Sequence, residues 1–235
     1  MNNIRVKICC MLFVACSVGV GTASASVVRF TDNGSNANLG HSFTEVVDGV
    51  TVTVSAFRFN GSNSSPSSAG AHNARMKAWG NNGIGIGTGG NPMHTADNVR
   101  HREFFLVEFD QLVDLKKASI SEWGNRPRST RGGDSDVDYW GGSGAFSFDN
   151  LGTRFEDDIL STVLSDGQKR NIVFDNGLGN VNWLLLGPEA FPGGGNVHDY
   201  IKLRNIELTA VPLPAAVWLM GSALLGLAGL KRKLA

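Results

Sequence analysis

Cysteine is almost absent from this 235-residue sequence, and its three cysteines, Cys9, Cys10 and Cys16, all lie near the N-terminus. The rest of the chain has no thiol for a disulfide, a cysteine nucleophile or a cysteine metal site. The sequence also lacks an H-E-x-x-H pair, a G-x-S-x-G elbow and a P-loop. These absences remove the usual signatures of zinc peptidases, serine hydrolases and P-loop nucleotide-binding proteins.

The sequence has no net charge, with 21 basic and 21 acidic residues, but the two signs are unevenly distributed. Five of the basic residues lie in the two terminal segments described below, which leaves 16 basic against 21 acidic residues in the body, a net charge of −5. A mildly acidic body does not attract nucleic acid electrostatically. We therefore expect no nucleic-acid partner.

Residues 1–25 predict a secretory signal peptide. Arg5 and Lys7 precede an apolar stretch over residues 8–20, and three small residues then form a cleavage site, Ala23, Ser24 and Ala25. We expect export by the Sec machinery and a cut by signal peptidase between Ala25 and Ser26. The signal helix is therefore excluded from the fold of the mature protein.

Residues 26–210 predict one all-β domain. Short apolar runs are separated by Gly, Asn, Ser and Asp clusters, and Val50, Val52 and Val54 alternate with polar residues as in a half-buried strand. Because no regular helical crossovers occur, an antiparallel β-sandwich or jelly roll is favoured. The predicted strands cover residues 26–30, 42–47, 50–56, 102–109, 115–123, 181–186 and 200–209.

Three local features of this body carry more specific expectations. Phe57 and Phe59 shift the apolar phase of the strand predicted over residues 50–56, which predicts a bulge or an exit from the sheet. A turn near Asp114 is expected to separate residues 102–109 from residues 115–123. A short helix is expected over residues 154–164.

The longest apolar run covers residues 215–230, and it predicts a C-terminal transmembrane helix. At ~1.5 Å per residue its 16 residues cover about 24 Å, slightly less than the ~30 Å hydrocarbon core. Trp218 lies where an interfacial aromatic belongs. Lys231, Arg232 and Lys233 follow Leu230 and keep that end cytoplasmic, so the body lies on the other side of the membrane.

The motif Val211-Pro212-Leu213-Pro214-Ala215, followed by the apolar run and the basic triplet, closely resembles the PEP-CTERM sorting domain in its VPLPA variant. Leu213 stands where the name-giving form has Glu. The resemblance implies recognition and cleavage by an exosortase in a Gram-negative bacterium. It further implies an inner-membrane intermediate, followed by delivery to the cell surface or extracellular matrix.

Two internal motifs resemble a family of exosortase-dependent surface proteins that carry this same tail. The first is Asn91-Pro92-Met93-His94-Thr95-Ala96-Asp97-Asn98, and the second is Asp134-Ser135-Asp136-Val137-Asp138-Tyr139-Trp140. The resemblance implies a secreted β-rich surface protein and supplies no catalytic residue.

The acidic and amide side chains of these motifs predict a calcium site built from Asp97, Asn98, Asp134, Asp136 and Asp138. An EF-hand is excluded, because Tyr139 occupies the position of its Gly and Ala145 the position of its last ligand. The alternative is that Asp97 and Asn98 cap a turn and the aspartates of the second motif are solvated.

Tyr139 and Trp140 predict an exposed stacking platform for a glycan such as an exopolysaccharide. The sequence thus favours a non-enzymatic exported surface or matrix protein that binds calcium or glycan. An extracellular glycan hydrolase using Asp97, Asp136 and Asp138, and a matrix building block without a discrete ligand, are the alternatives.

Overall fold

The computed structural model describes residues 24–31, 35–60, 66–87, 95–98, 101–122, 135–157, 167–174, 178–189, 199–211 and 223. In these ranges the protein is all-β, as predicted, with 14 strands in one antiparallel sheet. The strands are β1 (Ala25–Arg29), β2 (Ser35–Gly40), β3 (Ser42–Val47), β4 (Val50–Asn60), β5 (Ala71–Asn73), β6 (Met76–Trp79), β7 (Ile84–Ile86), β8 (Ala96–Asp97), β9 (His101–Glu122), β10 (Val137–Gly142), β11 (Phe155–Asp157), β12 (Gln168–Val173), β13 (Val181–Pro188) and β14 (Tyr200–Ala210). Two single 3₁₀ turns cover Ser68–Gly70 and Gly80–Asn82.

Strand β9 connects two halves of this sheet. Its first half pairs with β4 on one side and β13 on the other, and β10 and β11 continue from β13. Its second half pairs with β14 and β12. Strands β1, β7 and β8 lie on the far side of β14, and β6 and β2 follow β7.

Strand β9 bends between its two halves. A straight strand of 22 residues would span about 70 Å at ~3.3 Å per residue. Instead, Arg102 near its start pairs with Asp138, and Glu122 at its end pairs with Arg170, which also donates to the carbonyl oxygen of Ser135. Because Ser135 and Asp138 are close in sequence, both ends of β9 lie at the same end of the molecule.

We name the two ends of the molecule for use below. The polar end contains both ends of β9 together with Asp97, Asn98, Ser135, Asp136, Asp138, Glu189 and Asp199. The bend end contains the β3–β4 hairpin tip at residues 46–50, the bend of β9 at residues 110–114 and the last part of the body at residues 209–211. There Gln111 Nε2 donates to the carbonyl oxygen of Gly49, and the Val211 N–H donates to the carbonyl oxygen of Leu112.

Apolar side chains are buried on both faces of the first half of the sheet. One cluster, which we call the main core, includes Val52, Phe105 and Leu184 from the first half and Ile120 and Leu203 from the second. A smaller cluster on the opposite face contains Phe59, Phe104, Leu106, Trp140, Trp183 and Leu185. Phe146, Phe148 and Leu151 cover that smaller cluster.

The prediction of a bulge or an exit at Phe57 and Phe59 is wrong. Strand β4 continues through both residues to Asn60, and its pairing with β9 runs from Val52 to Asn60 without a register shift. Phe57 and Phe59 contact the smaller cluster, whereas Val52 and Val54 point into the main core. The apolar phase changes because the buried face changes.

The structure shows neither the expected turn near Asp114 nor, among the described residues 154–157, the expected helix over residues 154–164. Residues 102–122 belong to one strand, and residues 155–157 form β11. Residues 158–164 lie outside the described ranges.

The predicted signal peptide and the predicted C-terminal transmembrane segment lie almost wholly outside the described residues. Ala25, at the predicted cleavage point, is the first residue of β1, and of the predicted tail only Val211 and Ala223 are described. Within the ranges given above, no helix has the length and apolar character needed to cross a membrane.

Gly83 and Gly144 offer a matched test of this packing, because their φ angles are +89° and +93°. A Cβ at Gly83 would overlap the carbonyl group of Leu203 and lie 2.9 Å from the Arg204 Cα, whereas a Cβ at Gly144 would meet nothing within 4 Å. We expect Gly144→Ala to lower the free energy of unfolding by about 1–2 kcal/mol through backbone strain. We expect Gly83→Ala to lower it by about 2–5 kcal/mol through strain and overpacking. Urea titration measures both, and equal losses would contradict the close approach of Gly83 to β14.

Candidate functional site

The polar end holds a network of buried charged side chains that the strand pairing brings together. Arg102 is the second residue of β9 and Asp138 the second residue of β10. Strand β13 lies between β9 and β10, so Arg102 can donate from Nε to the carbonyl oxygen of Pro188 at 2.9 Å. The network therefore joins three neighbouring strands at their ends.

The centre of the network is the ion pair between Arg102 and Asp138. The two side chains are 1% and 0% exposed, and Arg102 Nη2 donates to Asp138 Oδ2. Burial lowers the pKa of Arg102, and the Asp138 carboxylate opposes that shift. The guanidinium also lies 4.7 Å from the ring centroid of Phe104. Because the cost of desolvating Arg102 is offset by Asp138, each of these charges depends on the other.

Two further carboxylates lie close to Asp138. Carboxylate oxygens of Asp138, Glu156 and Glu189 all lie within 4.8 Å of one another. Arg154, which is partly exposed, donates to Asp138 Oδ2 at 3.3 Å and also pairs with Glu156. The three carboxylates are therefore interleaved with two guanidinium groups.

The two sequence motifs meet at Asp199, a residue that neither motif contains. Asn98 Nδ2 donates to Asp199 Oδ2 at 2.7 Å, and the Asp199 N–H donates to Asn98 Oδ1 at 3.0 Å. From the second motif, the Asp136 N–H donates to Asp199 Oδ1 at 3.2 Å. Glu189 adds another link, because its carbonyl oxygen accepts from Asn98 Nδ2 and its N–H donates to the Asp136 carbonyl oxygen, each at 3.0 Å. The two motifs are therefore joined through Asp199 and Glu189.

Glu103 and Asp97 form a second buried carboxylate pair beside this network. The Asp97 N–H donates to Glu103 Oε2 at 3.3 Å, and the two residues are 7% and 4% exposed. Burial raises the pKa of Glu103 well above its ordinary value, and the Asp97 carboxylate raises it further. The Asp97 N–H and the positive charge of Arg58 act in the opposite direction. The Glu103 carboxyl group is thus held toward its protonated form.

The predicted calcium set is not assembled as one group of ligands. Asp138 is committed to Arg102, Asp97 lies beside Glu103, Asn98 bonds to Asp199, and Asp134 lies outside the described residues. The acidic group that the structure does assemble, Asp138, Glu156 and Glu189, does not fit a calcium ion well. The guanidinium groups of Arg102 and Arg154 already neutralise these carboxylates, and they would repel a cation bound there.

The predicted exposure of Tyr139 and Trp140 is wrong. Tyr139 is 9% exposed and Trp140 5% exposed, and they lie on opposite faces of β10. Tyr139 stacks on Phe155 in the main core, and Trp140 packs against Phe104 in the smaller cluster. Because both faces of this half-sheet are covered, neither ring offers a surface to a glycan.

The sequence reasoning missed Arg102, Glu103, Glu156, Glu189 and Asp199 as members of the network. A usable signal was present for two of them. Arg102 and Glu103 begin a run that is otherwise strongly apolar, Phe-Phe-Leu-Val. Adjacent residues of a strand point to opposite faces, so in a sheet buried on both faces each of these charges needs its own partner.

No protein-family model matches this chain, and a search of curated proteins found no significant match.

Because Arg102 and Asp138 are buried together, removing the charge of one of them should lower the free energy of unfolding strongly. Asp138→Asn removes the buried carboxylate that accepts a hydrogen bond from Arg102, and we expect a loss of about 3–5 kcal/mol in the free energy of unfolding. The double variant Arg102→Met/Asp138→Leu removes both charges, and we expect it to recover most of that loss. Urea unfolding followed by tryptophan fluorescence measures each variant.

The exposed pair between Lys116 and Asp114 is the matched control. Its side chains are 48% and 42% exposed, so Lys116→Ala should lower the stability by less than about 1 kcal/mol. If Asp138→Asn is as mild as Lys116→Ala, the interior ion pair does not hold the polar end together.

Glu103 predicts a specific dependence of stability on pH. Its folded-state pKa lies above the ordinary value of 4.5, so between these two values the folded state holds a proton that the unfolded state has lost. The contribution of Glu103 is therefore complete below pH 4.5 and is lost as the pH rises through the folded-state pKa. Glu103→Gln should match the wild type near the acidic end and be more stable at alkaline pH. Thermal unfolding from acidic to alkaline pH tests this, and parallel curves for the two proteins would refute it.

Proposed function

We propose that this chain is an exported, non-enzymatic surface protein of a Gram-negative bacterium. Residues 211–235 anchor its β domain to the inner membrane until an exosortase releases it to the cell surface or extracellular matrix. The observation that carries the proposal is the order Val211-Pro212-Leu213-Pro214-Ala215, a 16-residue apolar run and Lys231-Arg232-Lys233. A signal peptide over residues 1–25, cut after Ala25, supplies the export step.

The shape we propose for the body is a β-sandwich of the jelly-roll kind. In support, β9 bends so that its two halves share the main core, and the sheet is antiparallel throughout the described residues. The body from residue 26 onward has no cysteine, so its stability comes from burial and pairing. A domain of this kind suits an oxidising exterior without needing an oxidant to fold.

The position where the folded body ends supports a removable tail. Strand β14 ends at Ala210, and Val211 makes one further hydrogen bond, from its N–H to the Leu112 carbonyl oxygen at 3.0 Å. The sorting motif therefore starts where the sheet stops. We infer that cleavage within or after the motif leaves the body intact.

No observation favours the hydrolase alternative. Of the three carboxylates suggested for it, Asp138 is fully buried in an ion pair and Asp97 is 7% exposed. A glycosidase needs two carboxyl groups facing the sugar across an open cleft. We retain exopolysaccharide as a proposed partner of the body, without assigning it to Tyr139 and Trp140.

The tail gives a direct test of the sorting proposal. Truncation after Val211 keeps the last hydrogen bond of the body, so we expect an unchanged unfolding temperature. The truncated protein should be exported and signal-processed but should appear in the periplasm or medium instead of at the cell surface. Cell fractionation in a host that carries an exosortase, with immunoblotting and circular dichroism, measures both properties.

A motif variant separates sorting from membrane anchoring. Pro212→Ala/Pro214→Ala keeps the apolar run and the basic triplet, so this protein should remain in the inner membrane at its unprocessed mass.

Surface delivery of the truncated chain at the wild-type level would refute the role of residues 212–235.

A further inference from the structure

The two ends of the body leave it side by side at the bend end. Ala25, the predicted last residue of the signal peptide, pairs with Thr209 of β14. Thr209 in turn pairs with Asp114 of β9, and the Val211 N–H donates to the carbonyl oxygen of Leu112. Because antiparallel partners lie about 5 Å apart, the two proposed processing points share one small patch of the molecule.

The large apolar side chains that remain exposed also lie at or near the bend end. Among the described residues they are Val46, Leu112 and Val173, which are 69%, 42% and 52% exposed. Val46 belongs to the hairpin whose tip contacts Gln111, and Leu112 lies in the bend itself. Val173 pairs with Lys117, a few residues along β9 from the bend. Single exposed apolar residues scattered over a surface are normal, whereas several at one end of a molecule indicate a contact surface.

The lysines near this patch already have partners. Lys116 Nζ lies 2.5 Å from Asp114 Oδ2, and Lys117 Nζ lies 2.7 Å from Glu207 Oε2. The Asp110 carboxylate accepts a hydrogen bond from the Thr51 N–H at 3.0 Å. Long basic side chains can keep their charged ends in the headgroup layer while their stems lie against apolar surface. Because these lysines are neutralised by Asp114 and Glu207, a contact with a bilayer would come from the exposed apolar side chains and not from charge.

We propose that the bend end rests on the outer surface of the inner membrane, with Leu112 and Val46 in the headgroup layer, while the chain is still anchored. This proposal rests on the proposed function, because it takes residues 212–235 as the membrane anchor. The partner is the lipid bilayer surface, because the chain leaves the body toward its proposed anchor at Val211, next to Leu112. The polar end then faces away from the membrane.

The absence of cysteine from residues 26–235 allows a clean test by single labels. The signal-processed full chain, residues 26–235, is reconstituted into vesicles of phosphatidylethanolamine and phosphatidylglycerol. Leu112→Cys and Val46→Cys are each labelled with an NBD fluorophore. His72→Cys is the control, because His72 is exposed and pairs with Arg58, which pairs with Glu103 near the polar end. Lipids carrying a nitroxide on the headgroup quench the fluorophores.

We expect headgroup quenching to be at least about twofold greater at the two bend-end positions than at His72, since interfacial apolar groups are buried to a depth of about 5–10 Å at the headgroup/acyl boundary. Equal quenching at all three positions, in chains that float with the vesicles, overturns the membrane-facing surface and leaves the anchor intact. That result would point to a protein, such as the exosortase, as the occupant. Failure of the unmodified chain to float with the vesicles overturns the anchor and, with it, this proposal.

Discussion

The 22-residue strand β9 hydrogen-bonds to β4, β13, β14 and β12, and the rest of the described fold depends on this pairing. One strand that serves both halves of the sheet sets the register of each half relative to the other. Its bend at residues 110–114 brings the two halves over the main core. Because the body has no cysteine, this apolar burial stabilises the fold in place of the disulfides found in many small exported domains.

The buried charges at the polar end complement that arrangement. A purely apolar contact tolerates small slips between strands, whereas Arg102 and Asp138 meet only when β9, β13 and β10 pair in the observed register. Asp199 links the start of β14 to both sequence motifs in the same way. We infer that these residues specify which strand ends belong together, because a misaligned register would leave charges buried without partners.

The two ends of the molecule differ in chemistry in a manner that fits an anchored surface protein. The bend end carries both chain exits and the exposed apolar residues Val46 and Leu112. The polar end carries the ion pairs and the hydrogen-bonded motifs. If the body is anchored as we propose, its opposite end and flanks face the exterior, and the proposed exopolysaccharide partner would be sought there.

The sequence by itself determined the all-β class and located six of the 14 strands, β1, β3, β4, β9, β13 and β14, because alternation and turn residues are local properties of the chain. The terminal sorting signals that the long apolar runs indicate remain predictions. Only the tertiary structure decided that residues 101–122 form one bent strand, that Phe57 and Phe59 face a second apolar cluster, and that Tyr139 and Trp140 are buried. The partner of Arg102 lies 36 positions away and that of Asn98 101 positions away. Such contacts depend on strand order and on the covering of both sheet faces, and neither is encoded in local periodicity.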